Sequence, residues 1–328
     1  MQKAVVVNNN KNFSYDVFNG DADGICALHQ LRLAHPKAAT LVTGVKRDIT
    51  LLQNLKSNEG DQITVLDISL DSNFHALKQH LEQGAVVTYF DHHTADLAFK
   101  HPGLTLHWDD SIDVCTSILV NQHLKGQFAI WANVAAFGDN LISTAYRMAE
   151  QAGLQADQTQ QLYTLGNLLN YNAYGEHVDD LTISPQALYQ DLHQYHDPFD
   201  FIANASNYTL LSDAYREDMA MLDEIRPTCE QKYAAIYVLP SHSWARRVSG
   251  LLANKLKEKS KDKSFAVLTQ KSDGSYLVSV RTADPKNKSA SEFCAAFDTG
   301  GGRQAAAGIN NLPVEDLAQF SKRFFTYF

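Results

Sequence analysis

Four acidic motifs carry the side chains best suited to chemistry. They are Asn19-Gly20-Asp21-Ala22-Asp23-Gly24, Asp67 at the end of Val65-Leu66-Asp67, Asp91-His92-His93, and Gly138-Asp139-Asn140. Carboxylates brought together repel: two like charges about 4 Å apart cost about 4 kcal/mol at an effective dielectric of about 20. Divalent cations remove that cost. Carboxylate oxygen and imidazole, with no thiolate, suit a hard to borderline ion such as Mn²⁺ or Mg²⁺. Asp21 and Asp23 stand two apart, so an extended turn aims both to one side, each able to serve a different ion. His92 and His93 are adjacent and cannot share one direction; one is expected to ligate and the other to face a substrate. Singly, each motif has a plain structural explanation, a turn for Asp-x-Asp-Gly or a helix cap for a strand-end Asp. Their ordered succession, each after an apolar segment, points instead to a metal site.

The elements that must position these residues alternate between strand and helix. Tyr15–Phe18, Thr40–Thr43, Ile63–Ile68 and Ala85–Phe90 read as buried strands. Between them Ile25–Ala34, Ile49–Leu55 and Phe74–Leu81 space their apolar residues as helices do. That alternation predicts an α/β fold with a parallel sheet, where ligands collect beyond the carboxyl ends of the strands. Val114–Leu124, Ile130–Phe137, Leu141–Gln151 and Gln158–Leu169 read as further helices. Residues 193–231 are polar and read as a helical or irregular connector. A smaller α/β unit follows: a strand Ala234–Leu239, a helix Ala245–Lys257, a hairpin of Phe265–Gln270 and Ser275–Arg281 around Ser272-Asp273-Gly274, a helix Ser289–Phe297, and a last helix from Val314. The expected division is 1–192, 193–231 and 232–328, with a ligand cleft between the two domains.

Length and composition agree with two globular domains: 328 residues, 45% hydrophobic and 20% charged. No apolar run approaches a membrane span, and Ala4–Val7 is too short for the core of a secretion signal. The cysteines, Cys26, Cys115, Cys229 and Cys294, form no Cys-x-x-Cys pair, which argues against a disulfide framework or a structural zinc site and for a cytoplasmic protein. From Lys232 onward there are 15 basic and 8 acidic residues, a balance of +7; the preceding part carries 13 and 29, a balance of −16. An acidic half suits cations and a basic half suits phosphates. Other features read as structural: Asn170–Gly175 as an aromatic helix cap, Arg246 and Arg247 as a solvated pair, Cys26 as a small buried residue. His193 and His196 lack the ligands a zinc site needs.

The set of motifs resembles the DHH phosphoesterase superfamily, whose tripeptide stands here as Asp91-His92-His93. Gly300-Gly301-Gly302-Arg303-Gln304-Ala305-Ala306-Ala307-Gly308 resembles the glycine signature of the DHH-associated C-terminal domain, with Ser279-Val280-Arg281 as its upstream strand. The resemblance runs from about residue 14 to 308. It implies that Asp21 holds a first Mn²⁺ and that Asp23, His92 and Asp139 hold a second. Asp67 would bridge them, and Mg²⁺ is the alternative ion. Asp67, His92 and His93 would be the catalytic residues, with His93 on the scissile phosphate. Arg281, Gly300, Gly301, Gly302 and Arg303 would bind a terminal phosphate or nucleotide.

Two departures stand out. Many members place a histidine where this chain has Val17, and RecJ-like members place a carboxylate where it has Asn19, so the first ion would bind weakly or through Asn19 and water. Arg303 replaces the signature histidine, keeping a cationic phosphate donor but not a titratable one. The implied activity is hydrolysis of short oligonucleotides or dinucleotides to mononucleotides by two metals about 3.5–4 Å apart. A phosphatase of 3′-phosphoadenosine 5′-phosphate and a cyclic-dinucleotide phosphodiesterase are the alternatives within the family. A non-catalytic nucleotide or nucleic-acid binder is the alternative of another class. The expected partners are the substrate and a second copy of the chain, with no membrane.

Overall fold

The structure, a computed structural model, describes residues 12–328; the Ala4–Val7 stretch lies outside them. Two compact units are present. One runs to Ala173 and resumes over Ile183–Leu211; the other comprises Tyr174–Thr182 and Ser212–Phe328. The stretch expected as a connector is thus shared between them. It is helical, over Pro198–Asn204 and Ser206–Asp223.

The first unit holds five parallel strands: β1 (Ser14–Phe18), β2 (Thr40–Thr43), β3 (Gln62–Leu66), β4 (Val86–Asp91) and β5 (Leu104–Trp108). Their order is β2-β1-β3-β4-β5. The chain turns back across β1, so β1 and β3 are neighbours where the winding reverses, the place where doubly wound sheets open a ligand crevice. Helices α1 (Ala22–Ala34), α2 (Leu70–Glu82), α3 (Thr116–His123), α4 (Ala129–Gly138), α5 (Ile142–Gln151), α6 (Ala156–Asn172), α7 (Pro185–Leu192), α8 (Pro198–Asn204) and α9 (Ser206–Asp223) follow in chain order. α2 is amphipathic, and its Leu77 and Leu81 pack on Val17, Ile63, Val65, Val87 and Tyr89 of the sheet. Ile49–Leu55, expected as a helix, forms only a short 3-10 turn over Leu51–Asn54. β5 has no counterpart among the expected strands. It is an edge strand, half-buried, and Thr105, His107 and Trp108 dilute its apolar signal.

The second unit holds a six-stranded mixed sheet. Its strands are β6 (Cys229–Glu230), β7 (Ala234–Leu239), β8 (Ser264–Gln270), β9 (Tyr276–Arg281), β10 (Gly300–Gly302) and β11 (Ala306–Leu312), in the order β10-β11-β9-β8-β7-β6. β7 and β8 run parallel, linked through α10 (Ser243–Lys259); the expected β8–β9 hairpin is antiparallel. With α11 (Ala290–Ala295) and α12 (Leu317–Tyr327), the sheet encloses a core that includes Phe293, Phe320, Phe324 and Phe328. Arg246 and Arg247 are not solvated. Arg246 Nη1 lies 2.7 Å from Asp180 Oδ1, and Arg247 forks onto Asp218 at 2.7 and 3.0 Å. Among the described residues no helix is long and apolar enough to cross a membrane.

Candidate metal centre

The acidic motifs converge at the carboxyl ends of β1 and β3. Asp21 caps α1: its Oδ1 accepts from the Asp23 N–H at 3.0 Å and the Gly24 N–H at 3.1 Å. The helix-cap explanation therefore holds for this oxygen. Its Oδ2 meets the Lys46 ammonium. Asp23 lies one step inside α1, and α3 points its N-terminus at it. The Thr116 and Ser117 N–H groups donate to its two oxygens, each at 2.7 Å.

Asp67 has a left-handed backbone, φ 60°, a conformation that costs a non-glycine residue about 1–3 kcal/mol. The same strain recurs at Asn140, φ 62°, beside Asp139. Asp67 Oδ1 accepts from the Thr116 hydroxyl at 3.2 Å. Asp139 follows the last turn of α4, which comes close to its neighbours at Gly138. A Cβ there would lie 2.4 Å from the Ala22 Cβ and 2.8 Å from the Gly166 carbonyl oxygen. Any larger residue at 138 would push α4, and Asp139 with it, off the cluster.

His92 Nδ1 lies 3.1 Å from the Val114 carbonyl oxygen. A carbonyl only accepts, so Nδ1 carries the proton, and Nε2 faces the acids. Nε2 is 3.5 Å from Asp67 Oδ1 and 3.9 Å from both Asp23 Oδ2 and Asp139 Oδ2. Ligand atoms of Asp23, His92 and Asp139 all lie within 4.8 Å of one another, as do those of Asp67, His92 and His93. An oriented imidazole among three carboxylates fits a hard to borderline divalent cation.

The other residues singled out in the sequence fall around this cluster. Asp91 is buried and holds its neighbours: Oδ2 accepts from the Leu70 N–H at the start of α2, 3.0 Å, and Oδ1 lies 2.6 Å from His93 Nδ1. Asn19 accepts from the Asp21 N–H at 3.2 Å and donates to the Lys46 carbonyl at 3.3 Å. Val17 is buried in the apolar core.

The electrostatics divide the cluster. Burial works against the charge of Asp21, yet Lys46 and the cap amides hold its pKa below the usual range. Burial pushes Asp67 well up, and the charges of Asp23, Asp21 and Asp139 push it further. Asp139 is raised to about 6, mainly by burial, with Lys46 and His92 opposing and Asp23 and Asp21 assisting. Burial pulls His93 down, but its bond to Asp91 and the surrounding acids prevail and leave it raised.

In the second unit, antiparallel pairing sets Arg281 of β9 opposite Ala306 of β11, and β11 pairs with the glycine strand β10. Arg281 Nε donates to Asn254 Oδ1 at 3.0 Å, and Arg303 is exposed in the turn between β10 and β11. Gly300 admits no side chain: a Cβ would lie 1.7 Å from the Cys294 carbonyl oxygen. The sequence reading missed Lys46, Val114, Thr116 and Ser117. Lys46 follows β2 on the same rim as the acids, so the strand-end rule that selected them also points to it. Thr116 and Ser117 open a helix, where N–H groups are free to meet an anion.

Residues 230–328 match a known family and form a DHHA1 domain. The chain shares the fold of the exonuclease RecJ bound to manganese: TM-score 0.63, 17% identity, 96% of this chain and 89% of that one. RecJ from Thermus thermophilus in complex with Mn²⁺ gives TM-score 0.57 and 17% identity over 96% of this chain and 51% of that one. The pGpG-specific phosphodiesterase PggH from Vibrio cholerae gives 0.53 and 14% over 96% and 98%. No curated protein matches the sequence. The expected α/β class, with a parallel sheet and a second smaller domain, holds. The family match is confined to residues 230–328, and over the rest of the chain the likeness is one of fold.

Proposed function

We propose that the chain is a divalent-metal-dependent phosphodiesterase that hydrolyses short oligonucleotides or dinucleotides to mononucleotides. The observation that carries this reading is the convergence of Asp23, Asp67, Asp139 and the oriented His92 Nε2 at the reversal point of the sheet. The DHHA1 domain and the fold shared with a nuclease and a dinucleotide-specific phosphodiesterase support it.

Asp23, Asp67, His92 and Asp139 would hold the cation. When bound, the ion would supply the Lewis acidity that activates water near neutral pH and stabilises the leaving oxygen. The α3 amides keep both oxygens of Asp23 oriented, and Val114 keeps Nε2 of His92 available. His93, held at Nδ1 by Asp91 and with its proton affinity raised by that contact, would turn its other ring nitrogen to a phosphate oxygen. Arg281 and Arg303 offer planar guanidinium donors, and the Gly300–Gly302 strand offers close backbone approach, for a terminal phosphate.

The test incubates purified protein with Mn²⁺, Mg²⁺ or chelator and three substrates: pGpG, 3′-phosphoadenosine 5′-phosphate and a cyclic dinucleotide. Metal-dependent release of mononucleotide from pGpG, faster than reaction of the other two, is the expected result. No hydrolysis of any of the three overturns the reading.

A further inference from the structure

The acidic cluster already contains a cation of its own. Lys46 Nζ meets Asp21 Oδ2, lies 3.0 Å from Asn170 Oδ1 and faces Asp139 Oδ1 at 3.7 Å. An ammonium has three donors to direct, and this arrangement gives them acceptors on separate elements. The residue is also pinned by its backbone. Its N–H donates to the Ala173 carbonyl at 2.9 Å, and its carbonyl accepts from Asn19 Nδ2 at 3.3 Å.

Around Asp21 the chain supplies the neighbouring Asp67 carboxylate and little else that could hold an ion. One carboxylate oxygen serves the α1 cap and the other serves Lys46. Asn19 spends its amide on backbone groups, and Val17 lies in the apolar core. Among the described residues, Asp21 belongs to neither group of side chains spaced for a metal.

We propose that the centre holds a single divalent cation, on Asp23, Asp67, His92 and Asp139, and that the Lys46 ammonium takes the place of a second ion at Asp21. This rests on the metal-dependent reading above. The charges agree with it. Four carboxylates, one ammonium and one dication leave one negative charge. A second dication would reverse that sign and would have to share Asp21 with the ammonium, a like-charge contact at short range.

The experiment counts metal. The chain is stripped, loaded with Mn²⁺, exchanged into metal-free buffer and measured by plasma mass spectrometry, and its Mn²⁺ electron paramagnetic resonance spectrum is recorded. One ion per chain is expected, with the six-line signal of an isolated ion. Lys46→Arg keeps the charge and stays at one. Lys46→Ala and Lys46→Gln remove it and take up a second ion, with a spin-coupled spectrum; thermal melting verifies that each variant is folded. Two coupled ions in the wild type overturn the inference and leave the metal-dependent reading standing. One ion in the wild type and still one in both neutral variants overturns the role of Lys46. No ion in the wild type removes the reading, and the inference with it.

Discussion

Asp16 and Asp67 are buried acids at adjacent strands of one sheet, and they face opposite surroundings. Asp16 of β1 meets Arg32 of α1, whose Nε donates to Oδ2 at 2.8 Å and whose Nη2 also reaches the Thr64 hydroxyl at 3.0 Å. Charge and donors are matched, and the pair is closed off. Asp67 is faced by Asp21, Asp23 and Asp139, and its own pKa is raised. The first arrangement holds β1 to α1. The second stores repulsion that the Lys46 ammonium relieves only in part and that a divalent ion would relieve further. The contrast separates acids that maintain the fold from acids that wait for an ion.

The largest effect expected from breaking this contrast is at Asp67. Asn tolerates the left-handed backbone, so Asp67→Asn keeps the shape and removes the charge. Hydrolysis should fall by about 10³-fold or more, while the metal-free protein gains about 1 kcal/mol of stability. Activity assays and chelator-treated melting curves read the two opposite signs, and a destabilised Asp67→Asn would contradict the picture of stored repulsion.

Asp16→Ala is the converse. It leaves Arg32 buried without its acid and should cost about 3–5 kcal/mol in denaturant unfolding. Bound metal per folded chain should be unchanged; a loss would place Asp16 in the site after all. Asp91→Ala frees His93 and the start of α2. It should lower kcat about 10–100-fold with metal still bound, the pattern of a positioning residue.

The smallest effect comes from a buried base. Burial, with His193 and His196 nearby, pulls His29 well below its usual 6.5. His29 is therefore neutral in the fold and takes up a proton on unfolding below that pH. Its contribution is complete above pH 6.5 and is lost as the pH falls, by at most about 1.4 kcal/mol per pH unit. Melting curves at descending pH should show this slope, reduced in His29→Leu; equal slopes in both proteins would assign it elsewhere.

The parallel sheet was legible because its central strands bury residues on both faces, as Ile63–Leu66 does, and read as nearly continuous apolar runs. The acids were legible because each follows such a run. Lys46 was harder to read: it follows a strand end as the acids do, but a lone lysine after a half-exposed strand has the signature of a solvated residue, and its partners Asp21, Asp139 and Asn170 all lie elsewhere in the chain. Arg246 and Arg247 were misread for a related reason, since their acids, Asp180 and Asp218, lie 66 and 29 residues earlier in the chain. Periodicity detects which face of an element is apolar. It does not detect a charge matched across such distances.

The short excursion Tyr174–Thr182 has a practical meaning for anyone dissecting the chain. It carries Glu176, which accepts from Ser272 in the β8–β9 turn, and Asp180, which accepts from Arg246 and Ser243. A fragment begun at residue 212, or at the edge of the recognised C-terminal domain, would leave behind a piece of its own wall. A faithful excised half has to be rebuilt as two strands of sequence joined by a linker, so the gene cannot simply be cut in two.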